Sequence, residues 1–251
     1  MTLADALGVR SGDVVSFIGA GGKTTAMYRV AGDLAARGLK VVVTTTTKIF
    51  PPDRPDVVLV LEEQGGEGAA ARAGEALRRA DVVAVAARAL PDGKLEGIAP
   101  EEVPSLQAIP GVAAVLVEAD GAARKPFKAP ADHEPVIPRE TTLLVAVVGA
   151  DALGRPLAGD VAHRPELAAQ QAGIRVGDPI TAEVVARVLL GPANLRGKPR
   201  GARLAALITK ARTPALCEAA GRLAALLRAR GASPVVLAEL AADPPFVALA
   251  A

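Results

Sequence analysis

The sequence predicts an α/β protein, built as a three-layer sandwich with a mainly parallel sheet and helices on both of its faces. Short apolar runs of valine, leucine and alanine alternate along the chain with segments of helical periodicity. The runs are continuously apolar, which is typical of strands buried on both faces. The helices between them imply right-handed βαβ crossovers. The length of 251 residues fits one domain spanning 1–251.

Each predicted element corresponds to one such run or periodic segment. The predicted strands are 14–18, 40–45, 57–61, 81–87, 112–117, 142–148, 204–209 and 235–237. The predicted helices are 25–37, 67–79, 166–172, 181–190 and 215–230. Residues 151–200 are helical and rich in loops, so we expect an insertion there before the sheet resumes.

The composition excludes several classes of protein. The net charge is only +2, from 29 basic and 27 acidic residues, so nothing favours binding to nucleic acid or to an acidic membrane surface. A single cysteine, Cys217, rules out a disulfide within the chain, and we expect it to be a small buried side chain. No apolar run is long enough to span a bilayer, so we expect a cytoplasmic protein without a membrane segment.

The most informative segment joins the first strand to the first long helix. It reads Gly19-Ala20-Gly21-Gly22-Lys23-Thr24-Thr25. Backbone N–H groups at such a turn, together with the helix dipole, favour an anion. Lys23 can reach outer phosphates, and the Thr24 hydroxyl is suited to bind Mg²⁺. The segment therefore predicts a nucleoside triphosphate ligand and a P-loop NTPase-like domain, with Lys23 exposed and of little importance to packing.

The loop departs from the usual phosphate-binding pattern. Counting back from Gly22, the first glycine of that pattern would fall on Phe17, so the loop here is shorter. A dinucleotide site fits less well. Its third glycine would fall on Thr24, and the second strand ends in threonines without a carboxylate for a ribose. The remaining alternative is a glycine-rich turn of purely structural importance.

Acidic residues follow the strand at 112–117, in the order Glu118-Ala119-Asp120-Gly121. Ligands bind outside the carboxyl ends of parallel strands. A carboxylate there can hold Mg²⁺ or position a nucleophile. Glu118 and Asp120 both qualify as the metal-side group, and the alternative is two solvated acids at a strand end.

A proline-rich run at 122–138 cannot form a helix or a central strand. Lys125 and Lys128 are candidates for neutralising phosphate or a second anionic substrate. His133 and Glu134 are candidates for metal binding or proton transfer. The alternative is a rigid surface loop with solvated charges.

The strand at 204–209 ends in Thr209-Lys210-Ala211-Arg212, where many GTPases carry an N-K-x-D motif. Arg212 replaces the aspartate that would accept hydrogen bonds from guanine. The sequence therefore favours ATP over GTP. His163 and Arg164, in the predicted insertion, are further candidates for substrate contacts.

These motifs together resemble the YqeC family. The resemblance rests on the glycine loop, on Thr44 to Lys48, on Glu118 to Ala122 and on Lys128 to Pro138, in that order, and it covers essentially the whole chain. The family is described as accessory or selenium-cofactor biosynthesis proteins for selenium-dependent molybdenum hydroxylases. The resemblance implies a nucleotide-binding maturation factor, and it constrains the pathway more than the chemistry.

Our hypothesis is a Mg²⁺- and ATP-dependent enzyme that hydrolyses ATP or transfers a phosphoryl group in this maturation. The predicted catalytic residues are Lys23, Asp120 and His133, and the predicted metal ligands are Thr24 with Glu118 or Asp120. A second substrate, such as a cofactor intermediate, would meet Thr45, Lys48, Lys125, Lys128, His133 and Glu134. The alternative is a nucleotide-gated chaperone or carrier for a client molybdenum hydroxylase. The sequence does not indicate an oligomeric state.

Overall fold

The computed structural model describes residues 1–62, 68–242 and 246–250. The helices are α1 (Leu3–Ala6), α2 (Lys23–Ala35), α3 (Ala69–Ala76), α4 (Val103–Gln107), α5 (Pro165–Ala172), α6 (Ala182–Leu189) and α7 (Pro214–Ala229). The strands are β1 (Asp13–Gly19), β2 (Lys40–Thr45), β3 (Lys48–Ile49), β4 (Val57–Leu61), β5 (Val82–Ala86), β6 (Arg88–Ala89), β7 (Leu95–Glu96), β8 (Val112–Glu118), β9 (Phe127–Lys128), β10 (Leu143–Gly149), β11 (Ala162–His163), β12 (Arg203–Thr209), β13 (Val235–Glu239) and β14 (Phe246–Leu249).

One large sheet dominates the described part of the chain. Its nine strands run in the order β14-β13-β12-β10-β1-β8-β2-β5-β4. Neighbouring strands are parallel except for β13 and β14, where Val236 pairs with Leu249 in an antiparallel register. Strand β1 lies between β8 and β10, with Phe17 opposite Glu118 on one side and Val145 on the other. This register aligns the carboxyl ends of β1 and β8 at one edge of the sheet.

Helices cover both faces of the sheet. On one face, α1 and α2 pack against β1, β2 and β10 through an apolar cluster that includes Leu7, Met27 and Phe17. On the other face, α3 and α4 cover β2, β5 and β8, while α5 to α7 cover β10 and β12. The strands are therefore buried on both sides, which explains their continuous apolar runs. The α/β class, the large mainly parallel sheet and its helices are confirmed.

The observed boundaries of most helices and strands agree closely with those predicted from the sequence. Strands β2 and β4 have the predicted bounds, and α7 is shifted by one residue at each end. Helix α2 begins at Lys23, two residues earlier than predicted, because Gly22 caps it with φ at +118°, a conformation that glycine adopts freely. The predicted helix at 67–79 corresponds to α3, and its predicted first residue, Glu67, lies outside the described residues.

The short helices and strands were not predicted, because hydrophobic periodicity can be recognised only over a longer stretch of sequence. Helices α1 and α4 contain four and five residues. Strands β3, β7 and β6 form a small antiparallel sheet, and β9 pairs with β11 in another. Residues 151–200 hold β11, α5 and α6, outside the main sheet and between β10 and β12. Cys217 is exposed, so the expectation of a buried cysteine was wrong, because it lies on the solvent side of α7.

None of the helices in the described ranges is long and apolar enough to cross a membrane.

Candidate functional site

The segment between β1 and α2 is a tight loop that only glycine permits at two points. Gly19 and Gly21 have φ of +92° and +85°, in the left-handed region. A side chain at Gly19 would collide with the carbonyl oxygen of Val147, and one at Gly21 with the backbone of Gly149. Close backbone packing against β10 therefore fixes the loop, in addition to its conformation.

The loop presents free hydrogen-bond donors at the N-terminus of α2. The amides of Gly22, the N-cap, and of Lys23, Thr24 and Thr25 in the first turn have no acceptor within the described ranges. By contrast, the amides of Gly19 and Gly21 are satisfied, by Asp120 Oδ2 at 3.0 Å and by the Lys125 carbonyl at 3.0 Å. Unpaired N–H groups at a 13-residue helix form an anion-binding position.

Lys23 is buried beneath this loop, with only 3% of the residue exposed. Its ammonium group donates to the Gly19 carbonyl at 2.7 Å and lies 3.1 Å from Asp120 Oδ1 and 3.8 Å from Glu118 Oε1. Burial would lower the pKa of Lys23, but the two carboxylates raise it overall, so the side chain stays charged. The expectation of an exposed lysine that contributes little to packing was wrong, because two acids from β8 draw it inwards.

Thr24 and Glu118 meet at the mouth of the loop. The Thr24 hydroxyl donates to Glu118 Oε2 at 2.6 Å. Glu118 is 6% exposed, and burial raises the pKa of its carboxyl despite the opposing effects of Lys23 and Thr24. Burial also raises the pKa of the neighbouring Tyr28 to about 12, with Glu118 as the second cause, so that phenol stays protonated. A hydroxyl and a carboxylate at this separation are a suitable pair of ligands for Mg²⁺.

A chain of alternating charges continues from Lys23 away from the loop. Asp120, which is fully buried, lies 3.0 Å from the Lys128 ammonium. Lys128 in turn lies 2.7 Å from Glu134, and Glu134 lies 2.7 Å from Arg164 at the start of α5. Burial would raise the pKa of Glu134, but the hydrogen bond from Arg164 and the charge of Lys128 lower it to about 2. The glycine loop is thus linked to the insertion by paired charges.

A cleft of about 860 Å³ opens above the loop at the carboxyl edge of the sheet. It is lined by Gly21 to Thr25, by residues that follow β2 and β8, and by both histidines of the chain, His133 and His163. Two carboxylates, Glu118 and Glu134, also line it. The lining cations outnumber them: Lys23, Lys48, Lys94, Arg124, Lys125 and Lys210. This excess of positive charge favours anionic ligands.

The two histidines occupy different surroundings. His133 is exposed in the proline-rich segment. His163 is half-buried on β11, where its carbonyl accepts the Ala129 amide at 3.2 Å. Burial lowers the pKa of His163, and the nearby charges of Arg164 and Lys128 lower it further. His163 is therefore neutral at physiological pH and able to accept a proton.

The structure brings most of the sequence-predicted site residues to this cleft. Lys48, Lys125, His133 and Glu134 line it together with the loop. Three others lie beneath it: Asp120 and Lys128 in the charge chain, and Thr45, which is 1% exposed and donates to the Glu118 carbonyl at 2.8 Å. Glu118, rather than Asp120, is the acid that contacts the Thr24 hydroxyl.

Other cleft residues were absent from the sequence-based set. Phe50 is 45% exposed at the mouth, and the Arg124 guanidinium lies 4.5 Å from its ring centroid. Lys94 lies 5.6 Å from the same centroid. These residues come from three separate segments, and isolated cations in a loop give no local signal. Only the run of ionisable residues at 124–128 could have pointed to Arg124.

The residues that follow β12 contact the loop without forming a guanine-reading motif. The Thr209 hydroxyl donates to the Gly21 carbonyl at 2.5 Å, and Lys210 lines the cleft. Arg212 is exposed and instead pairs with Glu239, with hydrogen bonds of 2.6 and 3.0 Å. An arginine engaged in this way cannot accept hydrogen bonds from a base.

The fold and the site define an α/β protein with a glycine loop and a cationic cleft at the carboxyl edge of a parallel sheet. The family model described as "YqeC protein" matches residues 15–166, so the chain belongs to the YqeC family. The chain is also 33% identical over 151 residues to the "Uncharacterized protein YqeC" of Escherichia coli strain K12. That alignment spans 60% of this chain and 57% of the E. coli protein.

Proposed function

We propose that this protein binds a magnesium–nucleoside triphosphate, ATP in preference to GTP, with the phosphates on residues 19–25. The observation that carries the proposal is the group of four amides at the N-terminus of α2 that have no acceptor within the described residues, beside the charged Lys23 side chain. Backbone donors, a helix dipole and a lysine together favour a polyphosphate.

Magnesium would be held by Thr24 and Glu118, which are already in hydrogen-bond contact. Across the described ranges, no cluster of three or more His, Cys, Asp or Glu side chains could hold a metal alone. That composition suits Mg²⁺, which usually takes one or two protein ligands and completes its shell with waters and substrate phosphates. The ion would neutralise charge on the outer phosphates.

The reaction that fits this site is hydrolysis of ATP or transfer of a phosphoryl group. Lys23 would stabilise charge on the outer phosphates, and Asp120 would hold Lys23 and the Gly19 amide in place. A second anionic substrate would occupy the far part of the cleft beside Lys48, Lys125 and His133. His133 is the proposed proton-transfer group there.

The proposed biological role rests on the maturation role that the resemblance to the YqeC family implies. We propose that the reaction serves maturation of a selenium- and molybdenum-containing hydroxylase cofactor, in the cytoplasm. The second substrate would then be a cofactor intermediate, or the client hydroxylase would be the partner. The net charge of +2 gives no support to a nucleic-acid or membrane partner.

The charge chain favours a second candidate function, a nucleotide-gated chaperone or carrier. A triphosphate that draws Lys23 towards itself would change the pairing of Asp120, and the change could pass through Lys128 and Glu134 to Arg164 in the insertion. In this case ATP turnover would be slow and would depend on a protein client.

Steady-state phosphate release separates the two functions. An enzyme hydrolyses Mg·ATP in proportion to a small-molecule substrate, whereas a gated chaperone responds only to its client hydroxylase. Calorimetry with Mg·ATP, with and without EDTA, tests the shared first step. Absence of any ATP binding at millimolar nucleotide would overturn both proposals.

A further inference from the structure

A second cavity of about 530 Å³ adjoins the cationic cleft on the side of α2. Thr24, Thr25 and Phe50 line both spaces, so the two cavities meet at the glycine loop. The remaining lining is different in character. It includes Tyr28, Pro51, Pro52 and Leu240, with Arg29 and Arg54 as cations and Asp53 as an anion. Apolar and aromatic walls with a few polar groups are typical of small-molecule sites.

Arg29 is the unusual residue in this cavity. It is half-buried, its Nε is buried without a hydrogen-bond partner, and no ion pair or hydrogen bond within the described ranges involves its side chain. Leaving a guanidinium N–H buried without an acceptor is unfavourable. A bound anionic or hydroxyl-bearing ligand would supply the missing partner.

The path of α2 indicates where the second cavity lies relative to the proposed phosphate site. Thr25 and Arg29 are four residues apart, so they lie on one face of the helix with an axial rise of about 6 Å. Lys23, which is suited to the outer phosphates, and Glu118, which is suited to their magnesium ion, line only the first cavity. A triphosphate whose outer end lies against Lys23 therefore has its inner end beside Thr25, at the entrance to the second cavity.

The wall opposite α2 is anchored to that helix. Arg54 donates from Nη1 to the Tyr28 carbonyl at 3.4 Å, and its guanidinium pairs with Asp56 at 2.8 Å. These contacts hold residues 50–54 across the cavity from α2. The second cavity is therefore bounded by α2 on one side and by residues 50–54 on the other.

We propose that this second cavity binds the ribose and base of the nucleoside triphosphate, with Phe50, Pro52 and Leu240 packing on the base and Arg29 donating to the ribose end. The inference rests on the proposed function, since it assumes that the phosphates occupy the glycine loop. It assigns nucleotide recognition to residues 28–29, 50–54 and 240. Phe50 becomes the wall that separates the nucleoside from the second substrate.

The test compares Mg·ATP with magnesium tripolyphosphate, which has the phosphates but no nucleoside. Wild-type protein should bind ATP at least about tenfold more tightly, or roughly 1.4 kcal/mol, by calorimetry. Phe50→Ala should reduce ATP affinity about tenfold and change tripolyphosphate affinity less than threefold. Phe246→Ala, at a phenylalanine that is 61% exposed and lines neither cavity, is the matched control and should change neither affinity.

Photocrosslinking with 8-azido-ATP gives a readout that needs no variant. Adducts on residues 28–29, 51–54 or 240 support the proposal, and adducts confined to residues that line only the first cavity overturn it. Equal affinity for ATP and tripolyphosphate, unaffected by Phe50→Ala, would also overturn it while leaving the proposed function standing. If neither ligand binds, the proposed function and this inference both fail.

Discussion

The Thr24 hydroxyl donates a 2.6 Å hydrogen bond to Glu118 Oε2, across 94 residues of sequence. The contact joins the two motifs from which a nucleotide site was predicted, because β1 and β8 are neighbours and Phe17 stands opposite Glu118 in their register. This hydroxyl–carboxylate pair is thus brought together by the sheet rather than by a local motif.

This contact predicts a dependence on magnesium that two variants at Thr24 can isolate. Thr24→Val removes the hydroxyl and should raise the half-saturating Mg²⁺ concentration for ATP hydrolysis at least about tenfold. Thr24→Ser keeps the hydroxyl and is the matched control. Equal Mg²⁺ dependence in both variants would show that Thr24 is not a metal-side ligand.

Lys23→Met should weaken Mg·ATP binding about 100-fold, because the variant loses the buried ammonium group that would pair with the outer phosphates. Since Lys23 lies against both Asp120 and Glu118, the variant should also lose about 3 kcal/mol of stability in urea unfolding. Binding is therefore measured by calorimetry at a temperature where circular dichroism shows the variant folded. The control is Lys40→Met, at a partly exposed lysine paired with Asp81 away from the cleft. Unchanged ATP affinity in folded Lys23→Met would contradict the central proposal.

Glu134 should make stability depend on acid pH. Its pKa is held at about 2, below its ordinary 4.5, by Arg164 and Lys128 acting against burial. A carboxylate with a lowered folded-state pKa stabilises the fold above the unfolded value and loses that effect as pH falls towards 2. Glu134→Gln should therefore lose on the order of 3 kcal/mol at pH 7 and progressively less between pH 4.5 and pH 2.

Urea unfolding at pH 7, 4 and 3 measures this difference. The control is Glu218→Gln, at an exposed carboxylate paired with Arg222 on α7, which should change stability by less than about 0.5 kcal/mol at every pH. A pH-independent difference between wild type and Glu134→Gln would mean that the charge of Glu134 contributes nothing.

GTP should not be strongly preferred over ATP. Arg212 is engaged by Glu239, and the Thr209 hydroxyl is engaged by the Gly21 carbonyl, so neither reads guanine. Competition of GTP against bound Mg·ATP should give affinities within about tenfold, or 1.4 kcal/mol. A larger preference for GTP would show that a guanine-reading group lies elsewhere in the site.

His133→Ala should leave Mg·ATP affinity nearly unchanged, because His133 lies in the exposed loop and the glycine loop supplies the phosphate donors. It should lower recovery of active client hydroxylase in cells, since loss of a proton-transfer group typically reduces rate about 10²–10⁴-fold. Full client activation, with normal expression and melting temperature, would assign His133 to the structure of the loop.

The family and the general architecture could be predicted from sequence because their signals are local. Continuous apolar runs marked β2 and β4 to the residue, and the runs of helical periodicity marked α5, α6 and α7 closely. The order of the strands gave no such signal. That β8 rather than β2 lies beside β1 depends on which faces pack together across the whole chain.

For the candidate site too, part could be predicted from the sequence and part could not. The glycines, Lys23 and the acids at 118 and 120 could be selected by type and spacing. Their roles could not be distinguished from sequence, because both are acids at the end of β8. Only the folded backbone sets the direction in which each side chain points. Glu118 faces Thr24, whereas Asp120 is buried between Lys23 and Lys128.

The sequence alone determined the strand, the glycine turn and the helix that follows, since backbone conformation and periodicity act over a few residues. Only the tertiary structure decided that Lys23 is buried, that His133 and His163 share a cleft, and that Phe50 and Arg29 line a second cavity. Burial, ion pairing and cavity shape arise where distant segments meet. Those energies depend on distances in space that no local pattern of residues encodes.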